Sequence, residues 1–123
     1  MNSFNWDQKH AGVQLLMAEL TNEPKYIADI STFCDYNMPH GGAKYTPGGL
    51  LFIEKWGVLR HSLNIAYICL KAGTLMGMDA IRQSNYRKFA MSQVNLTTNK
   101  EVSQLIAKLT CLLPSYTCLY RRL

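Results

Sequence analysis

The chain has 123 residues, which is enough for one small domain. Its composition, 48 % apolar and 17 % charged, is typical of a globular protein and argues against a disordered one. The net charge of +5 is scattered along the sequence, whereas a nucleic-acid groove usually shows a basic stripe with interleaved aromatic residues, so we expect no nucleic-acid partner.

The sequence shows no pattern of a membrane span, a signal peptide or a metal site. The apolar run Ile65 to Leu70 ends at Lys71 and is too short to cross a bilayer, so we expect no membrane partner. Met1 to Asp7 lacks the basic region and apolar stretch of a signal peptide. No Cys-x-x-Cys pair occurs and no histidine has metal-ligand spacing, so we expect no metal, no cofactor and no disulfide framework. The cysteines are expected to be buried small apolar side chains: Cys34, Cys69, Cys111 and Cys118.

Two helices joined by a short turn are predicted first. The first spans His10 to Leu20, and its apolar residues form one stripe at helical spacing: Val13, Leu16, Met17 and Leu20. Pro24 suits the first turn of the second helix, which runs to about Asn37. Its inward residues are Ile27, Ile30 and Cys34. Two such helices form an αα-hairpin.

A loop and a turn follow. Met38 to Pro47 is predicted to be irregular, and Pro47 with the next two glycines favours a turn. The apolar run Leu50 to Ile53 is too short for a helix and favours an extended segment. The histidines have no evident partner in the sequence, so each is expected to be solvated: His10, His40 and His61.

Two more helices are predicted. The third spans about Val58 to Ala72, with these residues along one face: Leu59, Leu63, Ala66, Tyr67 and Leu70. Asp79 is a suitable N-cap for the fourth, whose apolar residues are Tyr86, Phe89, Ala90 and Val94.

Trp56 and Arg60 stand four positions apart, where a loop meets the start of the third helix. A flat indole can stack on a pyranose ring, and a guanidinium can bond hydroxyl groups through two N–H donors. The alternative is that Trp56 fills the core and Arg60 is an ordinary surface charge.

Five segments, in order and with matching spacing, resemble the family 9 glycoside hydrolases, which are endo-β-1,4-glucanases (cellulases). They are Phe4-Asn-Trp-Asp-Gln-Lys-His-Ala-Gly12, Thr46-Pro-Gly-Gly-Leu-Leu-Phe-Ile53, Trp56-Gly-Val-Leu-Arg60, Asn64-Ile-Ala-Tyr-Ile-Cys-Leu70 and Tyr86-Arg-Lys-Phe-Ala90 with Gln93-Val94. The resemblance implies an all-α fold of helical hairpins forming part of an (α/α)6 toroid. It also implies a β-1,4-glucan as the ligand and a secreted protein.

The resemblance divides the chain into a partial catalytic domain, residues 1–95, and a divergent tail, residues 96–123. A capping box, Thr98 to Glu101, predicts that the tail is helical to about residue 113. The apolar stripe of that helix is Val102, Leu105, Ile106, Leu109 and Leu112.

The resemblance transfers binding residues but no catalytic ones. Trp56 and Arg60 match a family motif that faces the sugar cleft, and Trp6 and Asp7 match a motif that either borders the cleft or caps the first helix. Inverting hydrolysis needs two carboxyl groups, which the family carries in an Asp-x-x-Asp and an Asn-Glu motif. No two acids of this chain stand in that context, and Glu54 is the acid beside Trp56.

Three functions therefore remain open. The chain is a segment of an endoglucanase that is inactive by itself, a non-catalytic glucan-binding module, or a helical interaction protein.

Overall fold

The computed structural model describes residues 3–5 and 7–97, and they form four helices. These are α1 (His10–Thr21), α2 (Pro24–Asn37), α3 (Val58–Ala72) and α4 (Ala80–Thr97). Consecutive helices pack as two hairpins, α1 with α2 and α3 with α4, and α2 and α3 join the hairpins into one core. The extended backbone of the described residues is limited to one antiparallel bridge between Tyr45 and Leu51. The prediction of an all-α fold is confirmed.

Local signals explain where the helices begin and end. The residue after α1, Asn22, takes the left-handed conformation at φ 53° and donates its backbone N–H to Ala18 O at 3.0 Å. Pro24 occupies the start of α2, where a missing N–H costs nothing. The carboxylate of Asp79 accepts the backbone N–H of Arg82 at 2.8 Å and so caps α4. The predicted bounds of the first three helices and the cap of the fourth are therefore confirmed.

The core consists of side chains from all four helices, from the bridge residue Leu51 and from Leu75 in the α3–α4 connection. The largest apolar side chains that are fully enclosed are Ile30, Phe33, Leu51, Ile65 and Tyr86. The thiols of Cys34 and Cys69 are free and buried, as predicted, whereas the other two cysteines lie outside the described residues. Burial, together with a hydrogen bond to Cys34, raises the pKa of the Cys69 thiol.

The predicted apolar stripe of α1 is wrong as a set of core positions, and that of α3 is right only in part. On α1 the buried residues are Ala11, Leu15 and Ala18, and three of the predicted stripe residues are exposed: Val13, Leu16 and Leu20. On α3 the predicted Ala66 is buried and Leu70 packs against the core, whereas the predicted Leu59 and Tyr67 are exposed. The remaining apolar residues of the inward face of α3 include Ile65, Ile68 and Cys69. Each helix therefore has an apolar side that α2 and α4 cover and a second apolar side that they leave open.

A helix that is apolar on two opposite sides is suited to lie between two layers of structure. In α2 and α4 the predicted inward residues Ile30, Cys34, Tyr86 and Phe89 are all buried.

Within the described part of the chain, no helix combines the length and the apolar character that crossing a membrane requires. The predicted tail helix, residues 98 to 113, lies outside the described residues.

Candidate functional site

A tight hairpin turn leads the chain into the site. Thr46 donates its backbone N–H to Leu50 O at 2.8 Å, and Gly49 donates to Thr46 O at 2.9 Å. Gly49 closes the turn at φ 90°, a conformation that a side chain resists. The turn brings Leu51 beside Tyr45 and directs the following residues towards the start of α3.

The buried amide of Gln93 holds this turn against α4. Its Oε1 accepts the backbone N–H of Leu51 at 2.8 Å, and its Nε2 donates to the carbonyl of Gly49 at 3.1 Å. One side chain therefore satisfies a donor and an acceptor of an otherwise irregular segment, which burial would make costly to leave unpaired. Gln93, which belongs to the family-like motif of α4, therefore has a structural role: it holds the turn against the helix.

Residues 52–57, which we call the Trp56 loop, connect the turn to α3. Trp56 is 86 % exposed, so the interpretation of this residue as a core side chain is wrong. The Arg60 side chain folds over Gly57: a Cβ on Gly57, whose φ is 69°, would lie 2.8 Å from the Arg60 guanidinium. Arg60 is exposed and forms no hydrogen bond or ion pair among residues 3–5 and 7–97. The indole face and the guanidinium donors are thus both available at the N-terminal end of α3.

The prediction that His61 is solvated is wrong. His61 is 1 % exposed, and its Nε2 lies 2.8 Å from Oε1 of Glu54 in the Trp56 loop. Glu54 is therefore already in contact with a protein group, although it is the acid nearest to Trp56. The contact between Glu54 and His61 could not be predicted from their spacing of seven residues, because Glu54 lies before the start of α3. His10 and His40 are exposed, as predicted.

Asp7 is exposed in a turn before α1, where its backbone N–H bonds the side chain of Asn5 at 3.0 Å. Trp6 lies outside the described residues. The last turns of α1 and α3 are joined by an ion pair of 3.0 Å between Glu19 and Lys71. This pair brings the C-terminal ends of the two helices together. No hydrogen bond or ion pair of the described residues connects Asp7 to the Trp56 loop.

A second polar group, which we call the Arg82 cluster, consists of Asp35, Asp79, Arg82 and Tyr86. Arg82 Nε and Nη2 each lie 3.0 Å from Asp35 Oδ2, and Nη1 lies 3.0 Å from Asp79 Oδ2. The Tyr86 hydroxyl donates to Asp35 at 2.7 Å. The hydrogen bonds to the two carboxylates, that of Asp35 first, raise the pKa of Arg82, and the N–H groups of Arg82 lower that of Asp79. Burial and then the Asp35 hydrogen bond raise the pKa of Tyr86.

Most described carboxylates are thus engaged by other side chains. Two share Arg82, Glu19 pairs with Lys71, and Glu54 pairs with His61. The chain has one Asn-Glu dipeptide, Asn22-Glu23, and it lies in the turn between α1 and α2. Within the described part of the chain, no group of three or more histidine, cysteine or acidic side chains is arranged to hold a metal ion.

Comparison with known proteins identifies the family. The sequence profile of glycosyl hydrolase family 9 matches residues 1–98. An endoglucanase from Dictyostelium discoideum is 39 % identical over 79 residues, which cover 63 % of this chain and 11 % of that protein. Endoglucanase B from Cellulomonas fimi is 34 % identical over 93 residues, which cover 73 % of this chain and 9 % of that protein. The chain therefore spans about a tenth of the length of these two curated relatives.

Solved structures agree in fold. An endoglucanase from the termite Nasutitermes takasagoensis superposes with a TM-score of 0.69 and 38 % identity, covering 78 % of this chain and 21 % of that one. The endoglucanase CelQ from Clostridium thermocellum in complex with cellotriose gives a TM-score of 0.71 and 30 % identity, covering 76 % of this chain and 16 % of that one. The four helices are therefore part of an (α/α)6 toroid, as the resemblance implied, and the chain belongs to glycosyl hydrolase family 9.

Proposed function

We propose that this chain is a segment of an endo-β-1,4-glucanase catalytic domain, that it contributes part of the glucan-binding cleft, and that it does not hydrolyse glucan by itself. Trp56 and Arg60 are the binding residues of this proposal, and Asp7 and Trp6, which match the other family motif, are further candidates. In the whole enzyme, the reaction would be inverting hydrolysis of internal β-1,4 bonds, with both catalytic carboxylates supplied from outside this segment.

The observation that carries the proposal is the exposure of Trp56 beside an unpaired guanidinium. A large aromatic side chain that is 86 % exposed gives up apolar burial that the core would offer, which points to a contact with a ligand. A pyranose ring has an apolar face that fits an indole and equatorial hydroxyls that fit N–H donors. Arg60 supplies such donors four residues further along the chain, and no carboxylate of the described residues pairs with them.

The neighbouring structures support the class of ligand. CelQ was crystallised in complexes with cellotriose and with cellotetraose, both short β-1,4-glucans. A cello-oligosaccharide is therefore the probe of choice for this chain.

The carboxylates of the described residues argue against hydrolysis by the segment alone. An inverting mechanism needs one carboxyl group to protonate the leaving oxygen and another, roughly 6.5–9.5 Å away, to activate water. Glu54 is the acid nearest to Trp56, and its carboxylate contacts His61. A single engaged carboxylate cannot perform both roles.

The test is cellotetraose binding by the full 123-residue chain, measured by isothermal titration calorimetry. Trp56→Ala is expected to weaken binding at least about tenfold, as truncation of an exposed aromatic anchor in an interface does. Tyr67→Ala is the matched control, since Tyr67 is an exposed aromatic on α3 that lies away from the Trp56 loop. Equal affinity of the wild type and the Trp56 variant would refute this binding site.

Hydrolysis is tested on the same samples. The folded chain is expected to release no reducing sugar from carboxymethylcellulose above the level of a Trp56→Ala control. Release that scales with protein concentration and depends on Glu54 would refute the proposal that the segment is inactive.

A further inference from the structure

We propose that Glu54 is a positioning residue for Trp56: its carboxylate fastens the Trp56 loop to the buried His61 of α3 and so presents the indole in a fixed orientation. The effect on glucan binding rests on the function proposed above, whereas the effect on the loop itself does not. Glu54 is not proposed to touch the sugar.

The first observation is the position of the pair. Glu54 Oε1 lies 2.8 Å from His61 Nε2, and the side chain of His61 is 1 % exposed while that of Glu54 is 39 % exposed. The contact thus joins a loop side chain at the surface to a group inside the core. One residue, Lys55, separates Glu54 from Trp56, so the fixed point is close to the exposed indole along the chain.

The second observation is how the loop is held elsewhere. Leu51 before it is tied to Gln93 at 2.8 Å, and Phe52 donates its backbone N–H to Lys44 O at 2.9 Å. At the other end, the carbonyl of Gly57 accepts the backbone N–H of His61 at 3.0 Å. Between these points, Glu54 makes the polar side-chain contact, and Trp56 itself projects into solvent.

The third observation concerns the chemistry of His61. Neither ring nitrogen makes a well-aligned hydrogen bond within residues 3–5 and 7–97, although Nε2 is close to the Glu54 oxygen. The pair is therefore a close polar contact without the alignment of a regular hydrogen bond. A buried imidazole nitrogen far from any polar group is unfavourable, so the nearby carboxylate favours a loop that stays closed over the ring.

Loop order matters for recognition because a binding group that is already fixed loses less conformational freedom when the ligand arrives. Among the described residues, Trp56 is largely uncovered at 86 % exposure. Its orientation thus depends on the backbone of residues 52–57, which Ile53 anchors through apolar packing on the core and Glu54 through its polar contact with α3.

The test compares the full wild-type chain with variants of the pair and with a control. Glu54→Ala removes the contact, and His61→Phe removes it from the other side while filling the buried space with an apolar ring. Glu19→Ala is the matched control, since it breaks an ion pair of similar length, 3.0 Å to Lys71, that also involves α3 but lies at the other end of that helix.

The first readout is the ¹⁵N heteronuclear NOE of the amides of residues 52–57 and of the Trp56 indole N–H, without sugar. Glu54→Ala and His61→Phe are expected to lower these values while the amides of α3 keep theirs, and Glu19→Ala is expected to leave the loop unchanged. The double variant is expected to lower them no further than either single one. Loop values that stay at the wild-type level in both variants, or that fall equally in Glu19→Ala, would overturn the proposal.

The second readout is cellotetraose affinity. Glu54→Ala is expected to weaken binding about three- to tenfold, as the loss of a preorganised loop does, and Glu54→Gln is expected to recover part of it because the amide keeps the shape and a polar contact. The two proposals can fail separately. A wild type that binds no cellotetraose refutes the proposed function, while a loop that loosens in Glu54→Ala still supports the positioning role of Glu54.

Discussion

Two arginines in this molecule have opposite surroundings. Arg82 lies between Asp35 and Asp79, with contacts of 3.0 Å to each, whereas Arg60 is exposed and has no carboxylate within reach among the described residues. A guanidinium whose donors are used within the protein holds elements together, and one whose donors are free can bond a ligand. The Arg82 cluster therefore joins α2 to α4, and the Trp56 loop with Arg60 offers a recognition surface.

The aromatic side chains differ in the same way. Tyr86 in the Arg82 cluster is fully enclosed, and its hydroxyl is bonded to Asp35 at 2.7 Å and to the carbonyl of Ser31 at 3.2 Å. Trp56 is larger, yet it stands in solvent. The Arg82 cluster, whose polar groups bond one another, should thus contribute mainly to stability. The Trp56 loop with Arg60, whose polar groups are open to a ligand, should contribute mainly to binding. The following predictions test that division, from the largest expected effect to the smallest.

Tyr86→Ala should cause the largest loss of stability. Removing a buried aromatic ring leaves a cavity and also strips a bond from Asp35, so we expect a decrease of about 3–5 kcal/mol in the free energy of unfolding. Urea unfolding followed by far-UV circular dichroism measures it. Tyr67→Ala on α3, which removes an exposed ring, should change the value by less than about 0.5 kcal/mol. Similar losses in the two variants would contradict the contrast.

Gln93→Leu should destabilise the turn that precedes the Trp56 loop. The substitution leaves the buried N–H of Leu51 without its acceptor, at a cost of about 1–3 kcal/mol. Amide hydrogen exchange of Leu51 should accelerate more than that of residues inside α3. The exposed Gln83 provides a control, since Gln83→Leu should leave the Leu51 exchange rate unchanged. Unchanged exchange in Gln93→Leu would show that the side chain does not hold the turn.

The two arginines can be compared directly by replacing each with Met. Arg82→Met should lower the free energy of unfolding by about 1 kcal/mol, because the partners are half exposed and screened by solvent, and should not affect cellotetraose binding. Arg60→Met should leave stability within about 0.5 kcal/mol and weaken binding. Chemical denaturation and calorimetry on both variants give the four values. A binding defect in Arg82→Met alone would reverse our assignment of the two regions.

The smallest effect is the pH dependence from Asp79. The N–H groups of Arg82 lower the pKa of Asp79 below its ordinary value of 3.8. A depressed carboxyl pKa stabilises the fold above the unfolded value, and this contribution is lost as the pH falls through the folded one. The melting temperature of the wild-type protein should therefore decrease below pH 3.8, and the melting temperature of Asp79→Asn should decrease less over that range. Asp29→Asn on α2 is the control, and an equal flattening there would contradict the role of Asp79.

The helix bounds and turns follow from local signals. Asp79 as a cap, Pro24 at a helix start and the Pro47–Gly49 turn each act through the backbone of a few neighbouring residues. Such interactions do not depend on what the helix packs against, so the sequence predicts them. The same holds for Cys34 and Tyr86, which lie on helices with one covered side.

The sequence did not predict which residues are buried where a helix has two apolar sides. The stripe Val13–Leu16–Leu20 has regular helical spacing, yet it is the open side of α1, and the smaller Ala11 and Ala18 face α2 closely. Periodicity reports that a side is apolar and cannot report which of two layers will cover it. That choice is made when the hairpins pack.

The sequence by itself determined four helices, the Asp79 cap, the turn at Pro47–Gly49 and the family, because these depend on residue type and spacing along the chain. Only the tertiary structure decided that Trp56 is exposed to solvent, that His61 is buried against Glu54, and that Arg82 pairs with two carboxylates while Arg60 does not. These features depend on contacts between segments distant in sequence or on the direction of a loop. Burial and charge partners are properties of the packed assembly of elements, and no single element contains them.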